Sequence, residues 1–98
     1  MSQRNRAILK RLAEKYVWWK TPSETLAQPE RLFAQVMNIG DYDDVLLLVD
    51  NVGEKALREV LLHAEIGQFS ERSWAYWHYR LGLALSEQVP PRPTRKVT

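Results

Sequence analysis

Between Phe69 and Leu85 the chain reads Phe-Ser-Glu-Arg-Ser-Trp-Ala-Tyr-Trp-His-Tyr-Arg-Leu-Gly-Leu-Ala-Leu, and four of its ten aromatic residues fall in the six positions from Trp74 to Tyr79. A helix built from this run carries rings on several faces and has more apolar surface than one neighbour covers. The surplus is a docking surface. The expectation is a small helical module held by a partner. With 98 residues there is room for one domain, which buries on the order of 60–65% of its unfolded surface and gains stability from oligomerisation or a partner.

Local signals divide the rest of the chain into further helices. Ile8, Leu9, Leu12, Tyr16 and Trp19 recur at helical steps and predict a helix from Ser2 to about Trp19. Thr21 and Glu24 form a capping-box pair around Pro22, which starts a short helical turn. Pro29 opens a helix over 29–39, with Leu32, Phe33, Val36 and Met37 as its apolar stripe and Gly40 as a left-handed terminator. Asp41 and Asp44 repeat the cap logic ahead of Val45-Leu46-Leu47-Leu48-Val49, predicting a helix to about Val52. Five consecutive apolar residues also suit a buried strand, but the caps and the lack of a partner strand favour helix. Gly53 separates this helix from one over 54–64. Ser70 caps the aromatic helix, with Phe69 stapled to Trp74, and the helix is expected to reach about Glu87. The predicted architecture is an all-α, compact bundle of about five helices joined by short turns, a single domain over 1–88. A proline-rich basic tail over 89–98 follows, extended through Pro90-Pro91-Arg92-Pro93.

The chain has no cysteine, so disulfides and thiolate metal sites are excluded. Its N-terminus lacks the apolar run of a signal peptide, and no stretch has the ~20 apolar residues of a membrane span. A cytoplasmic protein without membrane contact is expected. The net charge of +2 conceals a segregation: residues 1–20 sum to +5, residues 21–71 to −7 and residues 72–98 to +4. This pattern fits nucleic acid at the ends, a basic partner on the acidic middle, or a merely solvated surface.

Chemistry-bearing clusters are sparse. His63 and His78 are fifteen positions apart, not at the spacing of a helical metal pair. Asp41, Asp43 and Asp44 run straight into apolar sequence, unlike a calcium loop, and read as helix-capping acids. No phosphate-binding glycine loop or nucleophile motif is present. A non-enzyme without cofactor or metal is expected. The segment 57–83 fits a helix-turn-helix poorly, because aromatic residues dominate where base-reading side chains belong. Trp and Tyr rings with Arg80 suit either base stacking or core packing, with an edge around Arg72, Tyr76 and Tyr79 left open. Trp18 and Trp19 lie about 100° apart on a helix and do not share one core face. An exposed member is an anchor for a protein interface.

Three runs occur together and in order: Tyr16-Val17-Trp18-Trp19-Lys20, Arg31-Leu32-Phe33-Ala34-Gln35-Val36-Met37-Asn38-Ile39-Gly40-Asp41, and Phe69-Ser70-Glu71-Arg72-Ser73-Trp74-Ala75-Tyr76-Trp77. Across about residues 16 to 85 the chain resembles small bacterial helical proteins encoded beside AbiEii-type nucleotidyltransferase toxins. The resemblance carries no catalytic residue and implies an antitoxin-like subunit that neutralises a toxin by complex formation. Candidate contacts are Trp18, Trp19, Asp41, Asp43, Asp44, Arg72 and Tyr76, the aspartates steering encounter and the aromatics supplying residence time. A second reading is a DNA-binding regulator using Arg4, Arg6, Lys10 and Arg11 or the Arg92, Arg95, Lys96 tail. A third is a structural or homo-oligomeric helical protein.

Overall fold

The computed structural model describes residues 3–84 and 88–93, with side chains from Asn5 onward. It is all-helical, and no strand occurs among the described residues. Among the described residues five helices follow one another: α1 (Gln3–Tyr16), α2 (Pro22–Leu26), α3 (Pro29–Ile39), α4 (Tyr42–Leu62) and α5 (Glu71–Arg80). No helix of the described residues is long and apolar enough to cross a membrane.

Three starts are set by their own sequence. Thr21 accepts the Glu24 N–H at 3.2 Å while Glu24 reaches back to the Thr21 N–H, and Pro22 stands where its missing N–H is harmless. Asp41 accepts the Asp44 N–H at 2.9 Å, and Ser70 accepts the Ser73 N–H at 3.2 Å. Phe69 meets Trp74 ring to ring at 5.7 Å, the expected staple. The run Val45–Val49 is helix. Gly53, with φ 82° and ψ 159°, breaks the ladder inside α4, so the two predicted helices form one bent element. Two residues before the break, the Asn51 carbonyl receives the Asn5 side-chain amide from α1 at 3.3 Å.

α3 is the centre of the bundle and touches all four other helices. Leu32 and Val36 are fully enclosed and pack with Leu9 and Leu12 of α1, Leu48 and Leu57 of α4 and Trp77 of α5 in one apolar core. Its C-terminal carbonyls are satisfied by α5: Trp77 Nε1–H donates to Met37 and Ser73 Oγ–H to Asn38, at 2.8 and 3.0 Å. Asn38 returns the contact by accepting the Ser70 N–H at 2.9 Å. Without these partners the end of α3 would bury unpaired backbone oxygens.

Three local expectations need correction. α1 stops at Tyr16, because the chain must turn before the extended Thr21 cap (φ −70°, ψ 151°). Val17 stays buried, while Trp19 leaves the apolar stripe. Gly40 is not left-handed: its φ is −65° and ψ 148°. A side chain there would collide with the Val36 carbonyl, so glycine serves close approach. α5 stops at Arg80, well before Glu87, in a Schellman ending. Gly82 takes φ 70°, the Gly82 N–H bonds Tyr79 at 3.1 Å and the Leu83 N–H bonds His78 at 2.9 Å.

The segment 88–93 has neither helix nor strand and lies back on the body. Val89 packs against the core, and Trp74 Nε1–H donates to the Pro90 carbonyl at 2.7 Å. The remaining tail positions, 94–98, lie outside the described residues.

Candidate partner-binding surface

The early end of α1 places two tryptophans outside the core. Trp18 is 77% exposed and Trp19 57%, and their rings meet edge to face at 5.7 Å. Trp19 lines a cavity of about 340 Å³ with Lys20, Arg31, Gln35, Asn38 and Ile66. Arg31 of this lining is paired with Glu65 at 3.1 Å.

Asn38 also lines a second cavity, of about 440 Å³. Met37, Val45 and Trp77 form its apolar lining, and Tyr42, Arg72 and Tyr76 flank them. Tyr42 is 71% exposed and Tyr76 48%. Tyr76 is held upright by two neighbours: its ring stands edge to face on Trp77 at 5.3 Å, and its hydroxyl accepts from Arg80 at 2.9 Å. Of the aromatic helix, Trp74 and Trp77 went to the core, and the open edge holds Arg72, Tyr76 and Tyr79. Tyr42 and Ile66 were missed in the sequence. Tyr42 is legible in retrospect as the residue following the Asp41 cap, off the Val45–Leu48 stripe.

The three aspartates divide. Lys15 Nζ binds Asp41 at 3.0 Å and Asp44 at 2.7 Å. Asp44 also accepts from the Tyr16 hydroxyl at 2.5 Å, and its side chain is only 14% exposed. The same hydroxyl accepts the Asp41 N–H at 3.1 Å. The Asp44 N–H and the Lys15 ammonium hold the Asp41 carboxyl below its ordinary range. Hydrogen bonds to Asp44 and Asp41 push Lys15 up, and burial followed by the bond to Asp44 pushes Tyr16 up. Asp41 and Asp44 thus join α1 to the start of α4, whereas Asp43 is exposed.

The basic candidates also separate. Arg6, Lys10 and Arg11 are exposed along α1, with Arg6 and Lys10 beside Pro22 and Ser23. Arg92 donates to the Phe69 carbonyl at 3.1 Å. The Arg4 side chain, Arg95 and Lys96 lie outside the described residues. His63 is exposed beside Glu59, while His78 is buried with Nδ1 2.7 Å from the Trp74 carbonyl. Among the described residues no cluster of three or more histidine, aspartate or glutamate side chains is placed to hold a metal.

No protein-family model, curated protein or solved structure matches this chain.

Proposed function

We propose that this chain is a binding protein of antitoxin type, which neutralises a nucleotidyltransferase-like toxin by forming a complex with it. The observation that carries the binding role is the Trp18–Trp19 pair, two large exposed rings outside the core that meet edge to face. Tryptophan, tyrosine and arginine are the residues in which interface energy concentrates. Trp19 lines one cavity, Tyr42, Arg72 and Tyr76 line another, and Asn38 lines both, which supports one extended surface. The toxin identity rests on the family resemblance. A site that binds nucleoside triphosphate tends to be basic, and the acidic middle of this chain complements it. With Asp41 and Asp44 engaged by Lys15, the steering falls to Asp43 and to the exposed Asp50 and Glu71.

Coexpression with the product of the cotranscribed neighbouring gene tests the reading. The two copurify, and Trp18→Ala or Trp19→Ala raises the dissociation rate by about 30-fold, as expected of a hot spot. Melting of the free protein stays unchanged. A stable complex indifferent to both substitutions, or no complex, refutes it.

A second reading, DNA binding through α1, is favoured by the exposed Arg6, Lys10 and Arg11. It requires an affinity for duplex DNA that falls steeply with salt.

A further inference from the structure

We propose that the cavity with the apolar lining of Met37, Val45 and Trp77 receives a segment of a partner protein that carries a large apolar side chain and a nearby carboxylate, the apolar group filling the cavity and the carboxylate pairing with Arg72. This rests on the binding role proposed above, without its toxin identity.

The hydrogen bonds of the lining select the occupant. Its acceptors are engaged: the Met37 carbonyl takes the Trp77 indole N–H at 2.8 Å, the Asn38 carbonyl takes the Ser73 hydroxyl at 3.0 Å, Asn38 Oδ1 takes the Ser70 N–H at 2.9 Å and Ser70 Oγ takes the Ser73 N–H at 3.2 Å. What remains are donors. Among the described residues the Arg72 guanidinium has neither ion pair nor hydrogen bond, and the Tyr76 hydroxyl, having accepted from Arg80, keeps its own proton to give. Among the same residues no acid lines the cavity and Arg72 is its one charged group, so the lining complements a single negative charge. A guanidinium fork and a phenol proton fit a carboxylate, which only accepts.

The apolar half of the occupant follows from the rest of the lining. Met37, Val45 and Trp77 are held in the core beneath the exposed rings of Tyr42 and Tyr76. At about 440 Å³ the cavity is near the lower end of ligand pockets, about 300–1,000 Å³, and has room for one large side chain. An apolar anchor in a pocket bordered by tyrosine and arginine is where interface energy concentrates. A second copy fits less well. A symmetric contact sets two cavities of the same charge face to face with no carboxylate in either lining, and the exposed Ile66 beside Glu65 enters only as a heterologous contact, which builds open chains unless its rotation closes a ring. Nucleic acid needs a track of cations, whereas Asp43 and Glu71, next in sequence to Tyr42 and Arg72, are exposed acids.

The test uses the isotope-labelled full chain and two capped peptides, acetyl-Phe-Ala-Glu-Ala-amide and the same peptide with glutamine in place of glutamate. The readout is the Tyr76 and Trp77 backbone amides and the Trp77 indole N–H. The glutamate peptide is expected to shift them and to bind about 5-fold more tightly than the glutamine peptide, as for one charge-assisted pair. Arg72→Gln abolishes that preference and leaves the melting temperature unchanged, since the side chain is exposed. Equal affinities, a preference that survives Arg72→Gln, or no shift at these positions overturns the proposal. Shifts of the same resonances with the concentration of the free chain assign the cavity to a second copy, and displacement of the peptide by decathymidylate assigns it to nucleic acid; either overturns it. In the copurified complex Arg72→Gln raises Kd about 10-fold, and Arg72→Lys, which keeps the charge without the fork, recovers part of the loss. A complex weakened by Trp18→Ala and Trp19→Ala but not by Arg72→Gln overturns this proposal alone. Glutamate selectivity without any copurified complex supports it and refutes the toxin reading alone.

Discussion

Trp77 and Met37, forty positions apart, are joined by a buried hydrogen bond of 2.8 Å from the indole Nε1–H to the backbone carbonyl. Through it a side chain of the aromatic helix closes the C-terminal end of the central helix, one turn from the Ser73 hydroxyl that serves Asn38. Trp77→Phe removes the donor and leaves the Met37 carbonyl buried beside a small void, costing about 2–4 kcal/mol. Ser73→Ala costs less, about 1 kcal/mol. Urea denaturation measures both. A Trp77→Phe protein as stable as the wild type would show that α3 ends without help from α5.

Tyr16 is the corresponding lock between α1 and α4. Its hydroxyl takes the Asp41 N–H and gives its proton to Asp44. Tyr16→Phe keeps the ring in the core and removes both bonds, taking this acceptor from the Asp41 N–H while Asp44 keeps Lys15, so a loss of about 1–2 kcal/mol is expected. Thermal unfolding of the two proteins compares them directly.

Two glycines are required for different reasons, and alanine separates them. Gly40 has ordinary dihedrals but no room beside the Val36 carbonyl, whereas Gly53 has open space but φ 82° and ψ 159°. Gly53→Ala is expected to cost about 1–3 kcal/mol in backbone strain. Gly40→Ala forces the α3–α4 corner to shift and is expected to lower the melting temperature and broaden amide resonances around Asn38–Asp44. Resonance changes confined to residues 51–55 in both variants would contradict the distinction.

The Lys15 cluster predicts pH dependence at both extremes. The Asp41 pKa is lowered in the folded chain, so the unfolded chain binds its proton first as pH falls. Its contribution is complete above the ordinary carboxylate value of about 4 and is lost as pH drops through the folded value. Lys15 and Tyr16 are raised, so theirs is complete below about 10 and fades as pH climbs beyond it. Lys15→Met should flatten both limbs of a melting-temperature profile. An unchanged profile would show that the exposed pairing carries no stability.

The caps at Thr21, Asp41 and Ser70, the Phe69–Trp74 staple and the break at Gly53 were all determined by the sequence alone. The caps and the staple link residues within five positions, and the break is a property of one residue, so spacing along the chain suffices to read them. The end of α5 was equally local, but the apolar run through Leu83 and Leu85 obscured the stop at Gly82. Only the tertiary structure decided which rings stay outside. Trp18 and Trp19 are exposed because α1 must turn to reach α2, and Trp77 is enclosed because α3 needs its donor. It also decided that Lys15 binds Asp41 and Asp44 and that Arg92 reaches Phe69, partners separated by more than twenty residues. Helix caps are closed by neighbours along the chain, whereas burial and charge pairing depend on which helices the fold brings side by side.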